Sequence, residues 1–147
     1  MDLKAQLQQV LHSEIPLTKA IGIEVDSVAD NRVCLTAPLE NNINHKLTVF
    51  GGSLYSVSVL TGWSMVYVLL KKLNIDAHIV IQHSEIEYLH PVKENFEACC
   101  EVVSEATINK FEKMYKRKGR ARIMLDVTVM ADNKRAVHFS GDYVIHK

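Results

Sequence analysis

At 147 residues and 16.6 kDa the chain has the size of one domain. Its 48% hydrophobic and 23% charged residues are the balance of a soluble globular fold, which excludes disorder, collagen and coiled coil. Seventeen basic side chains against seventeen acidic ones leave no field to hold a nucleic acid by phosphate neutralisation. The three cysteines, Cys34, Cys99 and Cys100, are an odd number whose adjacent pair resists disulfide geometry, so the expected compartment is a reducing cytoplasm.

Met1 to Ile15 carries charges at Asp2, Lys4 and Glu14 and no apolar run long enough for an export signal. Leu3, Leu7, Val10 and Leu11 recur at helical spacing, which predicts a short amphipathic helix ended by Pro16. Ile21, Ile23 and Val25 alternate with polar residues, and so do Val33, Leu35 and Ala37 after the turn residues Asp30 and Asn31; this pattern predicts a hairpin. Pro38 then opens a polar loop, Glu40 to Lys46, the kind of segment on which chemistry is commonly placed.

Ser53 to Leu73 reads as a helix of roughly 20 residues, about 30 Å long. Leu54, Val57, Val59, Leu60, Trp63, Met65, Val66, Val68, Leu69 and Leu70 cover every side of it, so it has to be wrapped by other elements. Leu47 to Leu70 holds no formal charge over 24 residues, long enough to cross a bilayer. Gly51, Gly52, Gly62 and six hydroxyls within it argue instead for a buried helix, and no membrane span is expected. Single hydroxyls on such a helix most often bond back to its own carbonyls.

Four strand-like runs follow, His78–His90, Phe96–Val103, Ala121–Met130 and Val137–Ile145. A short surface helix is expected between Glu105 and Gly119, and a tight hairpin at Asp132–Lys134. Helix, two strands, long buried helix and four strands form an α+β class, with a curved antiparallel sheet wrapped around one central helix over the whole chain.

Asn44, His45, Phe50, Gly51, Gly52 and Ser53 at the head of the long helix resemble the motif that opens the central helix of hotdog-fold acyl-thioesterases. Ile86 to Val92, through Tyr88 and Pro91, resembles the strand after that helix in the same superfamily. The words Phe50–Leu54 and Leu60–Trp63 are most similar to the thioesterase-like domain found behind an acetyltransferase domain in some bacterial proteins. The resemblance implies a homodimer or dimer of dimers, with two sheets joined edge to edge and the active site between them. It implies an acyl-CoA or acyl carrier protein substrate, with coenzyme A or phosphopantetheine as part of the substrate and no separate cofactor.

Thioester hydrolysis needs a polarised carbonyl, an aimed water and a route for its proton. A helix N-terminus supplies the first through free amides, and Gly51 and Gly52 let a substrate approach the backbone closely. The carbonyl oxygen is expected at the Gly52 and Ser53 amides, beside Phe50. In many hotdog thioesterases an Asp or Glu lies about two turns into the helix; the corresponding residue here is Val59. The candidates left to hold or activate water are Asn44 and His45 on the loop, Ser58 and Thr61 on the helix, and Gln82 or Ser84 on the strand face with Ile86 and Tyr88. Asn44 and His45 are the preferred pair. Two other readings of this scaffold are a hydroxyacyl-thioester dehydratase and a non-catalytic acyl-thioester-binding module.

The seven histidines show no spacing that would hold a metal. Lys113, Lys116, Arg117, Lys118, Arg120 and Arg122 form the densest charge run, where a coenzyme A phosphate or an acidic carrier protein could dock. The reading favoured over docking is a solvated helix end with edge-strand charges that block sheet extension.

Overall fold

Asp2 caps the first helix, α1 (Leu3–Glu14), by accepting from the Ala5 amide at 2.8 Å. The computed structural model describes residues 1–147. Leu7 and Leu11 of α1 are fully buried, as their spacing predicts. A five-residue helix, α2 (Leu17–Ile21), follows and stops at Gly22, whose φ of 80° is the left-handed conformation that glycine adopts most readily. Sequence periodicity misses α2, which is too short to repeat, and it starts the first strand too early for the same reason. Strand β1 runs Glu24–Ala29 and β2 runs Arg32–Ala37.

The long helix, α3, spans Gly51–Leu73 and ends at Asn74, in the left-handed region at φ 57°, whose amide reaches the Leu70 and Lys71 carbonyls. Strands β3 (His78–Tyr88) and β4 (Phe96–Glu101) come next. Helix α4 (Glu105–Lys118) is capped by Ser104 and closed by Gly119 at φ 70°. Strands β5 (Arg120–Ala131) and β6 (Lys134–His146) are joined through Asp132 and Asn133, both at positive φ, as a two-residue hairpin turn requires.

All six strands form one antiparallel sheet in the order β1-β2-β4-β5-β6-β3. Helix α3 lies against β2 to β6, and the inward residues of those strands and of α3 form a single hydrophobic core. It is the one helix long and apolar enough to cross a membrane, and most of it is enclosed by this fold. Gly62 sets how closely helix and sheet meet. A Cβ there would lie 2.2 Å from the Tyr143 hydroxyl, which donates to the Val59 carbonyl at 2.6 Å.

The wrapping of α3 is less complete than its all-round apolar sequence predicts. Tyr55, Val59, Trp63 and Tyr67 remain half-buried, one turn apart, with Trp63 and Tyr67 stacked at 5.8 Å between ring centroids. That stripe runs along the side of the helix that the chain's own sheet leaves open. Strand β3 is an edge strand of 11 residues, with β6 on one side and no neighbour on the other.

Register also pairs two cysteines far apart in sequence. Cys34 on β2 faces Cys99 on β4, with Cα atoms 4.2 Å apart, and the two form a disulfide. The odd count of cysteines concealed this pairing, which strand register alone reveals, and the disulfide removes the ground on which the cysteines pointed to a reducing compartment. Cys100 is free and buried. Burial, and then the nearby Asp126 and Glu101 carboxylates, push its thiol up to about 12.

Candidate active site at the mouth of the central helix

The loop from Pro38 to Phe50 is held at several points before it enters α3. Buried Asn42 donates its side-chain amide to the Ile21 carbonyl at 2.9 Å and the Pro38 carbonyl at 2.8 Å. Its own carbonyl accepts from the Phe50 amide at 2.7 Å. Val49 donates to the Val92 carbonyl at 2.8 Å and bridges to Ile43. The helix therefore starts from a fixed position.

Phe50 occupies the cap position in an extended conformation, ψ 133°, and makes no side-chain cap bond. The Ser53 and Leu54 amides both turn back to the Phe50 carbonyl, at 3.0 and 3.2 Å. No carbonyl or side chain in the protein accepts from the Gly51 and Gly52 amides. The free donors are thus Gly51 and Gly52, one residue earlier than the sequence indicates, because Ser53 closes a tight first turn. Those two N–H groups, at the positive end of a 23-residue helix, are suited to an oxygen bearing negative charge.

Side chains frame this pair. The Tyr88 hydroxyl, at the end of β3, donates to the Gly51 carbonyl at 3.0 Å. Its burial, and then the neighbouring Tyr55, raise its pKa, which keeps it a donor. The Phe50 ring lies over Gly52, so close that a Cβ there would sit 2.3 Å from it. Phe50, Tyr88, Ile43, Leu47 and Leu89, on the segments around the mouth, are all exposed apolar residues. A cluster of that kind on a protein surface marks a contact surface.

The other residues singled out from the sequence occupy different positions. Asn44 uses its side chain within the loop: its Oδ1 accepts from the Lys46 and Thr48 amides at 2.9 and 3.2 Å, and its Nδ2 donates to the Thr48 hydroxyl at 3.0 Å. His45, between those partners, is exposed and makes no hydrogen bond. Thr61 bonds back to the Val57 carbonyl at 2.7 Å, whereas the Ser58 hydroxyl is fully buried without a partner. Ser84 pairs with the Tyr55 hydroxyl at 2.7 Å under β3. Gln82 is the extra residue of a bulge and is exposed. Tyr88 was visible in the sequence as part of the strand motif; its contact with Gly51 depends on where β3 ends.

A curved antiparallel sheet around one long helix, entered through a double glycine with two free amides, defines a hotdog-fold protein of the thioesterase class. The match to a family model described as "Putative thioesterase (yiiD_Cterm)" covers residues 4–147, and the chain belongs to that family. Among solved structures, a protein of unknown function from Chlorobaculum tepidum is 34% identical, with a TM-score of 0.94 over 99% of this chain and 94% of that one. A "putative thioesterase" from Shewanella oneidensis is 33% identical, with a TM-score of 0.85 over 99% and 98% of the two chains. A thioesterase from Haemophilus influenzae, at 11% identity and a TM-score of 0.73, covering 99% of this chain and 91% of that one, shares the fold.

Proposed function

We propose that this protein hydrolyses acyl thioesters of coenzyme A or of a carrier-protein phosphopantetheine, with the substrate carbonyl held at the mouth of α3. The single observation that carries the reading is the pair of unpartnered amides at Gly51 and Gly52. As water adds to the carbonyl carbon, negative charge develops on its oxygen, where these fixed donors stabilise it most. The C–S bond then breaks, and the departing thiolate needs little acid assistance, since an ordinary thiol ionises near pH 8.5.

With Val59 where a carboxylate would stand, the base assigned to the attacking water is His45, the exposed imidazole on the loop that leads into the helix, a role that requires its side chain to turn toward the mouth. Asn44 acts on His45 by fixing that loop. Phe50 and Tyr88 bound the entrance, and Ser53 sits in the first turn behind it. Two copies joined along their free β3 edges would cover the exposed apolar rim and the open stripe of α3, leaving an apolar space for the acyl chain. Thiol release from short- to long-chain acyl-CoA and acyl carrier protein substrates tests the reading. His45→Ala is expected to lower kcat about a hundredfold or more, the usual contribution of a general base. Asn44→Ala is expected to have a smaller effect. Acyl-CoA binding with no thiol release by the native chain would favour the binding-module reading.

A further inference from the structure

Seven of the 17 lysines and arginines lie between Lys110 and Arg122, where Glu112 is the one acid. Glu112 pairs with Lys116 at 3.1 Å, and no other ion pair engages these cations. They are not spread over one flat face. The left-handed turn at Gly119 folds α4 back onto the start of β5, so that Lys110 and Lys118 from the helix and Arg120 and Arg122 from the strand line one groove. The groove has a volume of about 640 Å³. Its apolar lining includes Phe111 and Val144, both buried, and the flexible side chains of Met114 and Met124, the latter 65% exposed.

We propose that this groove binds a phosphorylated nucleotide, with the phosphates on Lys110, Lys118, Arg120 and Arg122 and the base between Met114 and Met124. Four convergent cations without acidic partners match a multiply charged anion, and guanidinium forks match phosphate oxygens. Polarizable thioethers over an apolar floor suit a flat ring. The volume is in the range of small-molecule sites, and cations that converge from a helix and a strand on one open groove suit a compact polyanion better than the long side of a protein helix.

The identity of the nucleotide rests on the proposed thioesterase function, which supplies one ligand of this chemistry: the adenosine 3′,5′-bisphosphate end of coenzyme A. Within one chain the groove and the helix mouth are far apart. Arg120 and His78 both pair with His146, at one end of the sheet, whereas Tyr88 lies at the other end of β3, roughly 33 Å away. Antiparallel association of two β3 edges would set the His78 end of one copy beside the Tyr88 end of the other. The groove of one copy would then serve the mouth of its partner.

Calorimetric titration of the full chain with adenosine 3′,5′-bisphosphate tests the site. The ligand contains no thioester, so failure here is separate from failure of the hydrolase reading. Saturable binding is expected, abolished by salt, with the dissociation constant raised about tenfold or more in Arg120→Gln/Arg122→Gln. Met124→Asp, which puts an acid in the groove, is expected to weaken binding likewise. Circular dichroism of each variant confirms that it folds. Absence of binding at millimolar ligand, or unchanged binding in both variants, would overturn the proposal. So would binding of an acidic carrier protein, lost in the arginine variant, without binding of the bisphosphate.

Discussion

Gly62 and Tyr143 illustrate how a single residue sets the spacing of this fold. Most helix positions would gain from alanine, but here the added Cβ would meet a fully buried ring and its hydroxyl. Gly62→Ala is therefore expected to destabilise the protein by about 1–3 kcal/mol, the usual cost of overpacking. Urea denaturation measures this, and an unchanged midpoint would contradict the packing described. Cys100 makes a prediction in pH. Its thiol ionises near 9 in the unfolded chain but not until about 12 in the native one, because burial disfavours the thiolate. The neutral thiol is thus favoured by folding; its contribution is whole below pH 9 and declines at about 1.4 kcal/mol per pH unit between 9 and 12. Cys100→Ala, compared with the native chain by denaturation across that range, is expected to remove this part of the decline.

Among the elements, β3 carries the strongest expectation. Eleven residues with one open edge, next to exposed Val80, Tyr88 and Leu89, are an invitation to pair. Light scattering is expected to give at least twice the 16.6 kDa chain mass, and a monomer at micromolar concentration would contradict the assembly. Periodicity and turn residues revealed most elements: the α3 pattern, the Asp132–Asn133 hairpin and Gly119 all appear where the sequence indicates. What stayed hidden depends on register or on contacts between elements. Cys34 meets Cys99 only because β2 and β4 are neighbours, and the bulge at Gln82 separates it from Ser84 in a way that simple alternation cannot foresee. Similarly, Asn44 looked like a water-holding amide, but its donors and acceptor turn inward to the loop.

Across the whole molecule, the fold brings one feature of chemistry to a defined place: a buried helix whose first two amides have no partner. Polarisation of the substrate carbonyl in the proposed reaction depends on them. Gly51 offers an unusually clean way to remove one. Its predecessor, Phe50, already has the extended backbone that precedes proline, and the first helical position tolerates proline because its N–H is unused by the helix. A Cβ at Gly51 meets only ordinary contact, 3.5 Å from the Tyr88 ring. Gly51→Pro deletes the donor and keeps the helix, while Gly51→Ala adds the Cβ and keeps the donor. The decisive measurement is thiol release from acyl-CoA by the native chain and these two variants. Turnover by the native chain and Gly51→Ala, with kcat about 10²–10³ lower in folded Gly51→Pro, is the predicted result. Equal turnover in all three would contradict the account.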